Sequence, residues 1–250
     1  MTSRRIELHF HLLPALDDGP ADDADAIDLA RAAFADGTET VVCTPHARFL
    51  HGPRDLADRV ARLRRTLERG GVPLDLRPGA ELSAPDVEVL GDATLDAVSQ
   101  GPPAAPWILL EAPLEPGGVE ELHAAVDGLA RRGYGVLLAH PERSPQTLAP
   151  GGGLDELLAR GVALQVNATS IAGRHGDAPR DAALELVRAG AVTVVASDAH
   201  DDAGRPPSLT TAVATLRTAG VADPERLVAS APRALLRRGL AAPRPARALV

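Results

Sequence analysis

A chain of 250 residues, 45% of them hydrophobic, is long and apolar enough to bury one large core. Its formal charge of −8 gives no basic face for non-specific contact with nucleic acid or an anionic membrane, and no stretch approaches the run of about 18 apolar residues that a membrane-spanning helix needs. All 26 basic residues are arginine, and the single cysteine, Cys43, excludes an intrachain disulfide.

In chain order, short β-branched or Leu-rich runs alternate with longer amphipathic stretches rich in Ala, Leu, Arg and Asp. The opening MTSRRIELHF enters a strand pattern at once, without the apolar core of a signal peptide, so a soluble, cytoplasmic protein is expected. Seven short runs can be counted: RIELHFH, TETVVCTPH, PLDLRPGAE, WILLEAP, GVLLAHPE, VALQVNAT and VTVVASDAH. Between most of them lie segments such as DAIDLARAAFADG and RDAALELVRAG, which end in glycine as helices do. Repetition of strand, helix and strand means a parallel sheet. Seven units in one domain favour a closed or nearly closed (β/α)7 barrel over an open doubly wound sheet, and no G-x-G-x-x-G follows the first run to suggest a dinucleotide fold. The domain is expected to span residues 1–240, with 241–250 as a loosely ordered tail.

Potential ligands fall at the ends of these runs. His9 and His11 close the first, His46 the second, Glu81 the third, Glu111 the fourth, His140 the fifth, and Asp198 with His200 the seventh; only the sixth closes without such a group. Parallel strands in a barrel gather their C-terminal ends on one rim, where barrel enzymes build their sites. His9 and His11, two apart on an extended strand, project to the same face. With Asp18 from the turn PALDDG, the rim offers five imidazoles and four carboxylates. That is too many for one tetrahedral ion and suits two or three divalent metals. Such a cluster makes a local positive field inside an acidic protein, and phosphate is the natural anion for it. His51, His123 and His175 sit in loop or helix contexts and read as surface groups. In CTPHAR four residues separate Cys43 from Arg48 and there is no glycine-rich anion loop, which argues against a thiolate phosphatase.

HFHLLPALDDG, TPH, GAEL, ILLEAP, AHPER and SDAH followed by RPPSL occur in that order between about residue 6 and residue 209. Together they resemble the PHP (polymerase and histidinol phosphatase) superfamily, and within it the CpsB/CapC/YwqE branch of bacterial metal-dependent protein-tyrosine phosphatases. The resemblance implies a PHP-type distorted (β/α)7 barrel. It also implies that His9, His11, Glu81 and Asp198 hold one metal, that Glu81 bridges to a second held by Glu111 and His140, and that Asp18, His46 and His200 hold a third. Manganese is the expected metal, with iron or zinc as alternatives. Asp18 enters this set by the family spacing, while Asp17 is left to cap the turn.

Arg143, three residues beyond His140, and Arg205, five beyond His200, emerge from rim loops where a guanidinium can grip phosphoryl oxygens bidentately. The reaction implied is in-line attack on phosphorus by a metal-bound hydroxide. A tyrosyl leaving group, with a pKa of about 10, needs less protonation than a serine alkoxide. The expected substrate is phosphotyrosine on a protein, such as the tail of a bacterial tyrosine kinase that controls capsule or exopolysaccharide synthesis. Within the same fold the alternative is a small-molecule phosphoesterase such as histidinol-phosphate phosphatase. A non-enzymatic metal-holding regulator is disfavoured by the intact ligand set. SIAGRHGDAPR and Ala112 depart from the family pattern, so its substrate-facing walls are not carried over.

Overall fold

The computed structural model describes residues 4–201 and 203–245. Its strands are β1 (Arg5–Phe10), β2 (Thr38–Cys43), β3 (Asp75–Pro78), β4 (Glu81–Leu82), β5 (Trp107–Glu111), β6 (Gly135–Ala139), β7 (Ala163–Asn167) and β8 (Val192–Ala196). All pair in parallel, β1-β2-β3 in one sheet and β4-β5-β6-β7-β8 in the other. Strands β3 and β4 are two halves of one position, interrupted at Gly79 and Ala80, so eight strands fill seven places and correspond to the seven runs of the sequence. Glycine is required at the interruption: a Cβ on Gly79 would lie 2.6 Å from Val42 Cγ1.

Two seams close the ring. On one side His46 bridges Glu81, and Glu81 N donates to Pro45 O at 3.0 Å. On the other, Asp198 N donates to His9 O at 3.0 Å and His11 N to Ala199 O at 2.9 Å. The fold is therefore a distorted seven-position barrel, as expected, and not an open doubly wound sheet.

Helices fill the connections for visible reasons. The helix Pro53–Arg69 starts with proline in its first turn and buries Leu56, Val60, Leu63 and Leu67 along a single stripe. Asp22 caps the helix Asp23–Ala35 by accepting from Ala24 N and Asp25 N. The outward strand residues Ile108, Leu110, Val136 and Leu138 join this helical layer in one core cluster. Ile6, Leu8, Trp107, Leu109, Leu137, Ala163 and Val194, drawn from strands around the ring, form a second cluster inside the barrel, together with Leu235. Trp107 Nε1 donates to Leu235 O, so the helix Ser230–Arg238 closes the N-terminal mouth. The opposite, C-terminal rim stays polar.

Of the expected tail, Arg244 N donates to Arg160 O at 2.8 Å and Arg160 Nε to Arg244 O at 2.8 Å, while residues 246–250 lie outside the described residues. Among the described residues no helix is long and apolar enough to cross a membrane.

Candidate metal centre

Strand β1 carries a bulge: Glu7 pairs with Val41 and Phe10 with Cys43, so three steps of β1 face two of β2. Bulges re-aim side chains, and this one lies where His9 enters the rim. His140 and Asp198, at the ends of β6 and β8, adopt left-handed backbone with φ of 37° and 54°. For residues with a Cβ that conformation costs roughly 1–3 kcal/mol and persists where the surroundings over-determine it.

All nine expected ligands meet. His11, Asp18, His46 and His200 each bring one ligand atom within 4.8 Å of the others, as do the groups His9, His140, Asp198; His9, His11, Glu81; and His46, Glu81, Glu111. Glu81 is central. Its Oε1 lies 3.0 Å from His140 Nε2 and 3.3 Å from His9 Nε2, and its Oε2 3.1 Å from His46 Nδ1 and 3.4 Å from His11 Nε2. Asp18 Oδ1 stands 3.2 Å from His200 Nε2 and 3.4 Å from His46 Nε2. Glu111 is the most distant, 3.9 Å from His140 Nε2.

Hydrogen bonding, as between His140 Nε2 and Glu81 Oε1, accounts for only part of this packing. Asp198 Oδ1, 3.2 Å from His9 Nε2, and His200 Nε2, 3.2 Å from Asp18 Oδ1, are buried without an aligned partner. Donor atoms held at about 2.1 Å by one ion stand about 3.0 Å apart in octahedral and about 3.4 Å apart in tetrahedral geometry. That is the spacing found. Three imidazoles are also anchored through Nδ1, to Asp17 Oδ2 (His11, 2.7 Å), Gln165 Oε1 (His9, 3.0 Å) and Asp198 O (His200, 2.9 Å), which leaves Nε2 free to coordinate. The residues fit a cluster of divalent ions.

The electrostatics agree. Burial pushes the Glu111 carboxyl up to about 7, and the neighbouring Glu81 charge adds to it. For Glu81 itself burial works upward, but His9, His11 and His140 outweigh it and hold the carboxyl well below its ordinary range. Asp18 is lowered by its contacts with His200 and His46. Burial opposes protonation of His11, yet the bonds to Asp17 and Glu81 carry it up to about 10. Such protons leave when a metal binds, so assembly of the cluster is linked to pH.

Both expected arginines reach the cluster. Arg205 Nη2 donates to Asp198 Oδ2 at 2.7 Å and Arg143 Nη1 to the same oxygen at 3.3 Å, while Arg205 Nη1 reaches Asp18 Oδ2 at 3.3 Å. A family profile for capsular polysaccharide synthesis, CpsB/CapC, matches residues 5–237. The chain belongs to the CpsB/CapC family.

Over 204 residues it is 32% identical to the tyrosine-protein phosphatase YwqE of Bacillus subtilis, covering 78% of this chain and 77% of that one. One of the crystal structures of YwqE from Bacillus subtilis and CpsB from Streptococcus pneumoniae, described as unique metal-dependent tyrosine phosphatases, is 29% identical, with a TM-score of 0.78 over 97% of this chain and 99% of the other. The phosphotriesterase of Mycobacterium tuberculosis, 13% identical with a TM-score of 0.56 and 95% of each chain covered, shares the fold alone.

In this CpsB/CapC protein Cys43 is fully buried and burial pushes its thiol up to about 12, so it carries no thiolate for catalysis. His51 is exposed on its loop, and His123 is partly buried and packs against Gly153. His175 differs from its surface reading: it is partly buried, its Nε2 lies 3.0 Å from Thr169 Oγ1, and desolvation with the charges of Arg143 and Arg205 lowers it to about 4. Sequence reasoning also passed over Gln165 and Asn167. Both are fully buried on the inward face of β7, and their i, i+2 spacing in VALQVNAT is the signal that marks them.

Proposed function

We propose that this chain is a metal-dependent protein-tyrosine phosphatase of the bacterial cytoplasm. The carrying observation is the convergence of nine ligand side chains with Arg143 and Arg205 on one barrel rim, in a member of a family whose relatives are named tyrosine phosphatases. His9, His11, Glu81 and Asp198 would hold one ion; Glu81, Glu111 and His140 a second; Asp18, His46 and His200 a third. Two or three divalent ions are expected, manganese first, with iron or zinc able to take its place. A metal bound here supplies positive charge and a coordinated water acidified toward neutrality, the nucleophile for phosphorus.

The chain's own residues do the rest. Arg143 and Arg205 lie where their guanidinium groups can hold phosphoryl oxygens and neutralise charge as the P–O bond breaks. His175, kept neutral beside them, adds no competing charge at the mouth. An aryl oxide leaves with little protonation, which favours phosphotyrosine over phosphoserine. The natural partner is an extended segment, the tyrosine-rich tail of a bacterial kinase controlling capsule or exopolysaccharide synthesis.

The test compares kcat/KM with manganese on phosphotyrosyl peptide, phosphoseryl peptide, histidinol phosphate and a nucleotide. Phosphotyrosyl peptide should lead phosphoseryl peptide by at least about tenfold, about 1.4 kcal/mol in the barrier. A clear preference for histidinol phosphate or the nucleotide would overturn the substrate while keeping the fold.

A further inference from the structure

Strand β7 brings no expected ligand to the rim, yet its inward side chains Gln165 and Asn167 are excluded from solvent beside the cluster. Buried amides have to place their donors and acceptors. Here they form a chain. Gln165 Oε1 lies 3.0 Å from His9 Nδ1, Gln165 Nε2 donates to Asn167 Oδ1 at 2.8 Å, and Asn167 Nδ2 donates to Asp198 Oδ2 at 2.8 Å. The backbone beneath is pinned as well, since Asn167 N donates to Glu142 Oε1 at 2.9 Å.

The direction of the chain follows from its far end. An ionised carboxylate only accepts, so Asn167 must turn its NH2 toward Asp198 and its carbonyl oxygen toward Gln165. Gln165 then has to offer its NH2 to Asn167 and its oxygen to His9. Flipping either amide alone would set oxygen against oxygen or NH2 against NH2. Facing a carbonyl oxygen, His9 carries a proton on Nδ1, and in the neutral ring the Nε2 lone pair points into the cluster, 3.3 Å from Glu81 Oε1 and 3.2 Å from Asp198 Oδ1.

We infer that Gln165 and Asn167 are positioning residues through which Asp198 selects the metal-binding tautomer of His9. The same chain orients Asp198. Its Oδ2 accepts from Asn167, Arg143 and Arg205, and Oδ1 is left without a hydrogen bond for the ion. Two ligands contributed by β1 and β8 are thus set for one metal before it arrives, by a strand that touches no metal itself. This rests on the metal-centre reading above.

Gln165→Met keeps the volume and removes both the acceptor for His9 and the donor to Asn167; Gln165→Glu, buried and protonated on the oxygen that meets Asn167 Oδ1, keeps both. Manganese affinity of the full chain is measured by competition with a chelating indicator, and thermal unfolding of each metal-free variant checks that it is folded. Gln165→Met should bind manganese about tenfold to a hundredfold more weakly, whereas Gln165→Glu should stay within a few-fold of the parent. Gln165→Leu repeats the first arm if Gln165→Met melts below the assay temperature. Parent protein that binds no manganese would remove the metal-centre reading itself. A parent that binds, with Gln165→Met equally tight or Gln165→Glu as weak as Gln165→Met, would reduce the two amides to packing and overturn the inference.

Discussion

Asp17 Oδ2 stands 2.7 Å from His11 Nδ1, with both side chains closed to solvent. The same carboxylate accepts from His46 N at 3.0 Å and Gly19 N at 3.1 Å, so it ties the turn after β1 to the end of β2 while fixing one imidazole. Asp18, the next residue, is half exposed and points Oδ1 at His46 and His200 instead. Adjacent carboxylates therefore do separate work. One fixes a candidate ligand; the other is placed to be one.

The two should be separable by substitution. Asp18→Ala is expected to lose one equivalent of metal by elemental analysis. Asp17→Asn should keep the metal count at saturation and lower kcat/KM by about tenfold to a hundredfold, because an amide that offers oxygen to His11 turns NH2 against Gly19 N. Identical metal content and kinetics in the two variants would show that they play the same part.

Glu81 touches four of the five rim imidazoles, His9, His11, His46 and His140, within 3.4 Å. Glu81→Ala should abolish nearly all turnover and release metal, and a chelator should do the same to the parent. Cys43→Ser should leave turnover within a few-fold, since the thiol is buried among apolar side chains. Activity lost with the cysteine and kept without the glutamate would invert the assignment.

The candidate ligands were legible because barrel topology converts strand ends into a rim: each of His9, His46, Glu81, Glu111, His140 and Asp198 could be placed by counting runs alone. Gln165 and Asn167 were not, because neutral amides carry no charge to point to a metal, and their i, i+2 spacing shows only that they share a face of β7, not that the face is turned inward. Asp17 against Asp18 was decided by family spacing, and only the fold shows that Asp17 also carries His11. His175 stayed hidden for a different reason. Its neighbours Arg143 and Arg205 arrive from other loops, and nothing local in GRHGD announces them.

Arginine removal is the third test. Arg143→Ala and Arg205→Ala should each lower kcat/KM by roughly ten- to a thousand-fold, about 1.4 to 4 kcal/mol of transition-state stabilisation. Arg205 should be the more severe, as it grips both Asp18 and Asp198 whereas Arg143 reaches only Asp198. Metal content, measured in parallel, should stay normal in Arg143→Ala. Unchanged kinetics in both variants would return the arginines to the surface.

The last prediction concerns stability. Glu7, two residues before His9 on β1, is fully buried; Ser197 N donates to its Oε2 at 2.8 Å, and its Oε1 has no partner. Burial pushes its carboxyl from the ordinary 4.5 up to about 8. Between those two values the folded protein keeps a proton that the unfolded chain has released, so the folded state binds more protons and stability falls as pH rises across that window. Below about 4.5 both states are protonated and the penalty vanishes; above about 8 both are ionised and it is complete. Glu7→Gln keeps an oxygen for Ser197 N and removes the charge. In urea titrations at pH 5, 6.5 and 8, the variant should gain on the parent steadily with pH, reaching on the order of a few kcal/mol at pH 8. Comparing the pair cancels the pH dependence they share, including that of the metal cluster. A difference that stays flat from pH 5 to 8 would mean that Glu7 is already ionised in the folded protein and that an unseen donor serves Oε1.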